Sequence, residues 1–199
     1  MDLQGLLNNP PQLHLDEFGQ PISWGISNEV LSFIDNHVNA ASRTLETGAG
    51  ISTILFGLNG TYHTCVVPDK DQVEKIKDYC KQHDVPIDTV TFEIDTSEQA
   101  LPHLKLHDLD LVLIDGRHAF PTPFIDWYYA SPKLKVGGIL IVDDTQIWTG
   151  RVLKEFLSSE PEWKLEGEFS NKTAVFTKKA DGSHWKEWNN QPYVLRNSV

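Results

Sequence analysis

Apolar positions alternate along this chain between a helical period and short continuous runs. Val30, Leu31, Ile34 and Val38 share one helical face, with Ser27 or Asn28 able to cap it. Arg43–Thr47 reads as a strand, Ile51–Leu58 as a helix and Tyr62–Val67 as a second strand. Val73, Ile76 and Cys80 then place a stripe on a helix over about residues 70–83. A strand is predicted at Thr89–Ile94 and a short helix at Glu98–Leu104. Leu109–Ile114 is the strongest buried strand, followed by a helix at Pro123–Ser131. Gly137 and Gly138 break the pattern before a strand at Ile139–Val142 and a helix at Arg151–Ser158. Trp163–Phe169 and Thr173–Thr177 flank Ser170-Asn171-Lys172 and predict an antiparallel hairpin.

Five βα units closing in a hairpin predict an α/β fold. The expected form is a doubly wound, mostly parallel, seven-stranded sheet with a terminal antiparallel hairpin. Residues 1–26, rich in Pro, Gly and Asn, read as an extended lead-in to a domain at 27–178. Residues 179–199 form a C-terminal tail in which Trp185, Trp188 and Tyr193 show no periodicity. Two tryptophans left bare would invite aggregation, so either the core or a second subunit in a homodimer is expected to cover them.

Composition narrows the partners. A net charge of -11 over 199 residues argues against nucleic acid or an anionic membrane, since either requires a concentrated basic face. The start of the chain lacks the basic region of a signal peptide, and no run approaches the roughly 20 apolar residues of a membrane helix. The cytoplasm is the expected compartment. The two cysteines, Cys65 and Cys80, have no metal-ligand spacing and read as reduced core thiols.

Candidate chemistry begins at the end of the first predicted strand, with Glu46-Thr47-Gly48-Ala49-Gly50. Gly48 permits a sharp turn, and Gly50 lets backbone approach a ligand with no Cβ in the way. A dinucleotide fingerprint needs a third small residue where Thr53 stands, and no phosphate-binding GxxxxGK[ST] occurs. Read without analogy, Glu46 is either a ligand-facing carboxylate or an incidental charge at a strand end.

The E-x-G-x-G pattern resembles the first motif of class I S-adenosylmethionine-dependent methyltransferases, and the alternation over residues 27–178 with its terminal hairpin supports the likeness. The resemblance implies a Rossmann-like methyltransferase fold with S-adenosylmethionine as cofactor. Glu46, Thr47, Gly48, Ala49 and Gly50 would then hold its methionine end, and Asp69, slightly past the second strand, its ribose. Asp95 and Ser97 fall where the family contacts adenine, and Asp115 completes the cofactor set.

A second constellation follows the fourth and fifth parallel strands. Asp115-Gly116-Arg117-His118 and Asp143-Asp144 should finish on the same rim as the glycine turn. Clustered acids repel unless a cation neutralises them, and hard oxygen ligands suit Mg²⁺. A bound ion lowers the pKa of a substrate hydroxyl, and a neutral histidine can take the proton. This D-G-x-H and D-D combination resembles the branch containing catechol O-methyltransferase-like enzymes and macrolide sugar O-methyltransferases. The resemblance makes Asp115, Asp143 and Asp144 metal ligands and His118 the catalytic base, with a hydroxylated small molecule as substrate. Alternatively, Asp143 and Asp144 cap a helix and His118 is an ordinary loop residue.

Phe120, Pro121, Trp148 and Arg151 are placed either to shape a substrate pocket or to pack helices on the sheet. His14, His37, His63, His83, His103, His107 and His184 show no ligand spacing and read as surface or packing residues. Two other functions compete with methyl transfer: nicotinamide-dependent oxidoreduction, and a non-catalytic binding role on the same fold.

Overall fold

The computed structural model describes residues 1–15, 17, 18, 20–22, 25–182 and 185–198, so His184 lies outside the described residues. The elements run α1 (Leu3–Asn8), β1 (His14–Leu15), β2 (Pro21–Ile22), α2 (Asn28–His37), β3 (Arg43–Thr47), α3 (Ile51–Leu58) and β4 (Tyr62–Val66). They continue with α4 (Lys70–Gln82), β5 (Val90–Glu93), α5 (Ser97–Ala100), β6 (Leu109–Ile114) and α6 (Thr122–Ala130). The last are β7 (Leu134–Val142), α7 (Trp148–Ser159), β8 (Trp163–Phe169), β9 (Thr173–Lys178) and α8 (Pro192–Asn197).

Seven strands form one sheet in the order β5-β4-β3-β6-β7-β9-β8. The five strands from β5 to β7 are parallel, whereas β9 runs antiparallel to both β7 and β8. The period-two alternation of strand side chains divides the core between the two faces. Leu45, Val112, Ile114, Leu140, Val142 and Phe176 meet Trp127, Leu153 and Phe156 from α6 and α7. Leu111, Leu113, Ile141 and Val175 meet Val30, Ile34, Ile54, Leu55 and Ile76 from α2, α3 and α4. Burying both faces explains why Leu109–Ile114 reads as an unbroken apolar run. The order reverses between β3 and β6, which opens a crevice beyond their carboxyl ends.

Several local expectations change. The lead-in is not wholly extended: Asp2 caps α1 by accepting from Gly5 N at 2.8 Å, and Leu6 is fully buried in the α2–α3 core. Strand β7 starts at Leu134 rather than after the glycine pair. Leu109 pairs with Leu134 but Leu111 with Ile139, so the glycines sit in a bulge, with Gly137 at φ +85. The tail carries α8, and its Tyr193 ring lies edge-on to Phe156 at 6.1 Å. Among the described residues, no helix is long and apolar enough to cross a membrane. Cys65 and Cys80 are free and buried.

Candidate active site

The glycine turn lies at the reversal point. Gly48 has φ +87, and a Cβ there would lie 2.1 Å from the Asp115 carbonyl oxygen. The end of β3 is thus pressed against the end of β6, an approach only glycine permits. A Cβ on Gly50 would meet nothing within 4 Å, so open space adjoins its backbone. Gly50 N donates to Thr53 Oγ1 at 2.9 Å, and Thr53 Oγ1 donates in turn to Glu46 Oε1. Ser52 Oγ donates to Glu46 Oε2 at 2.8 Å, and His63 Nε2 lies 3.2 Å from Oε1. Glu46, only 1% exposed, therefore fastens the first turn of α3 from below.

Two cavities open beside this turn. The larger, of about 270 Å³, is lined by Gly48, Val67, Pro68, Asp69, Thr96, Ser97, Glu98, Gly116, Arg117, His118 and Thr122, among others. The smaller, of about 190 Å³, lies between α2, the N-terminal segment and Gly50-Ile51-Ser52. His14, Ala49 and Asp115 line both, so the two chambers meet at the turn. Gln72 Nε2 donates to Ala49 O at 2.6 Å and fixes the turn from α4.

Acidic residues meet on the adjoining rim. His118 Nε2 stands 2.8 Å from Asp144 Oδ2, and Gln146 Nε2 donates to Asp144 Oδ1 at 2.6 Å. Lys172, reached through the β8–β9 turn, places its ammonium 3.2 Å from Asp143 and 3.5 Å from Asp144. Ser170 and Asn171 both take positive φ in that turn, and Lys172 O accepts from Thr145 N at 2.8 Å. Burial disfavours ionised Asp144, but hydrogen bonds from His118 and Gln146, with Lys172 nearby, bring its pKa down to about 2. Burial and the charges of Asp143, Asp144 and Glu46 push Asp115 well above the usual carboxylate range.

Residues 45–145, just over half of the chain, match a family model described as a methyltransferase domain. The chain belongs to this family. No curated protein matches it in sequence. Solved structures match its fold at low identity. One is the O-methyltransferase TomG from Streptomyces achromogenes, involved in tomaymycin synthesis and bound to S-adenosylmethionine. It shows 16% identity and a TM-score of 0.70, over 87% of this chain and 89% of that one. A methyltransferase from Geobacter sulfurreducens shows 14% identity and a TM-score of 0.65, over 89% and 87% of the two chains. An rRNA methylase from Streptococcus thermophilus shows 12% identity and a TM-score of 0.61, over 80% and 100%. The fold is thus that of the class I S-adenosylmethionine-dependent methyltransferases, and the family match favours methyl transfer over the oxidoreductase alternative.

Within this methyltransferase, the expected site residues divide sharply. Gly48, Ala49, Gly50, Asp69, Ser97, Asp115 and His118 line the two cavities. Glu46 does not, because its carboxylate turns inward to Ser52, Thr53 and His63. Thr47 points to the opposite face, where its hydroxyl donates to Asp126 Oδ2 at 2.8 Å. Asp95 is exposed, accepts from Thr96 N at 2.8 Å and leaves the cavity wall to Thr96, Ser97 and Glu98. Asp143 is buried against Thr173 and Lys172 and is not part of the metal-sized group formed by Asp115, His118 and Asp144, whose donor atoms lie within 4.8 Å of one another. Sequence reasoning missed Thr53, Lys172 and His14. Hairpin topology was the available signal for Lys172, because the β8–β9 turn must return to the rim where β7 ends.

Proposed function

We propose that the methyltransferase transfers a methyl group from S-adenosylmethionine to a hydroxyl of a small molecule, with His118 as the base. The carrying observation is the His118–Asp144 pair at 2.8 Å, with His118 itself lining the larger cavity. The chambers suit the donor: two cavities meet at a glycine turn, and a side chain at Gly50 would project into the open space beside it. Gly48, Ala49 and Gly50 would take its methionine end, with Asp69 at the ribose and Ser97 at the adenine. Asp69 already caps α4 through Oδ1, accepting from Asp71 N at 2.9 Å and Gln72 N at 3.1 Å.

When bound, S-adenosylmethionine supplies an electrophilic methyl group on sulfur. Asp144 orients His118 through Nε2 and stabilises the imidazolium that forms. His118 Nδ1 is then left to take the acceptor's hydroxyl proton as its oxygen attacks. As an alternative to His118 acting as the base, a divalent cation fits Asp115, His118 and Asp144, each offering one donor atom. Asp115 and Asp144 each offer an oxygen to such an ion, and its charge would favour the ionised form of Asp115 that burial and the neighbouring acids disfavour. Such an ion would lower the hydroxyl pKa of a bound acceptor. Asp143 serves instead to anchor Lys172.

Titration calorimetry should show S-adenosylmethionine binding on the order of micromolar, and no binding at millimolar concentration would overturn the donor reading. His118→Gln should lower turnover by roughly 10²-fold or more while cofactor affinity holds. If turnover survives unchanged, the base is another group. Activity that falls with EDTA and returns with Mg²⁺ supports the metal, whereas indifference to EDTA leaves Lys172 as the sole counter-charge. Cofactor binding with no acceptor turned over would favour the non-catalytic alternative.

A further inference from the structure

Beside the donor chambers, one stretch of rim pairs exposed aromatic surface with cations that have no ion-pair partner among the described residues. Phe120 and Trp148 are 67% and 56% exposed. Their ring centroids lie 6.1 Å apart at 49°. Exposed aromatic pairs of this kind mark binding surfaces more often than scattered single side chains do. The pair adjoins the proposed base, because Thr149 Oγ1, next to Trp148 in the first turn of α7, donates to His118 O at 2.5 Å. Arg151 follows Trp148 by three positions and shares its helix face. Arg117 precedes His118 and lines the larger cavity. Both arginines are exposed, and neither guanidinium has an ion-pair partner among the described residues. The neighbouring acids are already engaged, Asp144 by His118 and both Asp143 and Asp144 by Lys172. Arg151, three positions along α7 from Trp148, and Arg117, three positions before Phe120, thus bring two guanidiniums to the segments that carry the aromatic pair.

We propose that Phe120, Trp148, Arg117 and Arg151 form the acceptor subsite, selecting a hydroxylated molecule with a flat face and an anionic group. The proposal rests on the methyl-transfer reading above and adds what the acceptor must carry. The aromatic surface takes the flat face, which either an aryl ring or the apolar side of a pyranose supplies. The guanidinium fork takes the anion, a carboxylate or phosphate, in paired charge-assisted hydrogen bonds. The shared chemistry is a flat, hydroxylated anion. Its aryl or sugar source is for experiment to separate.

Matched ligand pairs provide that test. Binding of 3,4-dihydroxybenzoate against catechol, and of glucuronate against glucose, is measured by calorimetry on protein loaded with S-adenosylhomocysteine. Methyl transfer from labelled S-adenosylmethionine is followed in parallel. The anionic member of at least one pair should be favoured by about tenfold, and the responding pair identifies the source. Arg151→Met should collapse the anionic-to-neutral ratio toward one, Arg151→Lys should restore part of it, and Trp148→Ala should weaken both members alike. The proposal is overturned if neutral members bind as well as anionic ones in both pairs. It is equally overturned if the preference survives in an Arg117→Met, Arg151→Met double variant, or if none of the four ligands binds. Calorimetric binding of S-adenosylmethionine in the same preparation keeps that failure distinct from failure of the methyl-donor reading.

Discussion

The ammonium of Lys172 sits 3.2 Å from Asp143 and 3.5 Å from Asp144, where sequence reasoning expected a metal ion to balance the charge. Its partner Asp143 has no side-chain exposure, so removing the ammonium strands a carboxylate. Lys172→Met should cost about 3 kcal/mol, read from urea midpoints, while Lys172→Arg should retain most of the stability. Asp126 offers a second test. Burial opposes its charge while hydrogen bonds from Thr47 and Ser97 favour it, and the balance raises its pKa to about 6. An unfolded aspartate titrates near ~4, so the native chain binds this proton more tightly. Its stabilising effect is therefore full below about pH 4, falls away as pH rises to about 6, and is flat beyond. Asp126→Asn should flatten that slope, worth roughly 3 kcal/mol at most, when urea midpoints are compared from pH 4 to 7. Neither residue announced itself in the sequence. Lys172 looks like a turn residue and Asp126 like a helix-surface charge, and only the packing of separate segments gives them partners.

At the scale of elements, the glycine turn separates two roles that look alike in sequence. Gly48→Ala drives a Cβ into the Asp115 carbonyl from a left-handed backbone, so β3 and β6 must part. It should lower the thermal midpoint and abolish cofactor binding together. At Gly50, φ is -177, an extended value open to any residue, and the added Cβ meets only space. Gly50→Ala should leave the thermal midpoint nearly unchanged and weaken cofactor binding, because the methyl group fills part of the smaller chamber. Calorimetry and thermal unfolding on both variants check the contrast. An equal loss of stability in both would refute it. Strands were legible for a physical reason: β6 is buried on both faces and its apolar run has no polar interruption beyond Asp110. Helix α1 was not, since six residues with Leu6 as their one fully buried side chain leave no period to detect. The orientation of Glu46 was equally hidden, because the motif shows a carboxylate at a strand end but not the side chains of α3 that capture it.

At the scale of the molecule, the candidate site's rim and the tail stand at opposite ends of the sheet. Helix α7 starts at Trp148 beside the rim, and a crossover helix runs back toward the other edge, so Glu160 at its end lies far from the cavities. There the tail closes the fold. Lys186 reaches Glu160 at 3.3 Å and Glu162 at 2.6 Å, and the Glu160 side chain has no exposure. Tyr193 and Val194 pack on the core cluster that holds Phe156 and Leu157. The tail is thus a structural closure of the domain, although its sequence shows no period, because its anchors are single contacts spread over an irregular path. Ending the chain at Asp181 should expose Phe156 and leave Glu160 buried without a cation, costing about 3–5 kcal/mol. Lys186→Met should lose less, because Tyr193 and Val194 still cover the core. Cofactor affinity, measured by calorimetry below the lowered melting temperature, should stay at the full-length value. A truncated chain that keeps its thermal midpoint, or loses cofactor binding while still folded, would place the tail in the site instead.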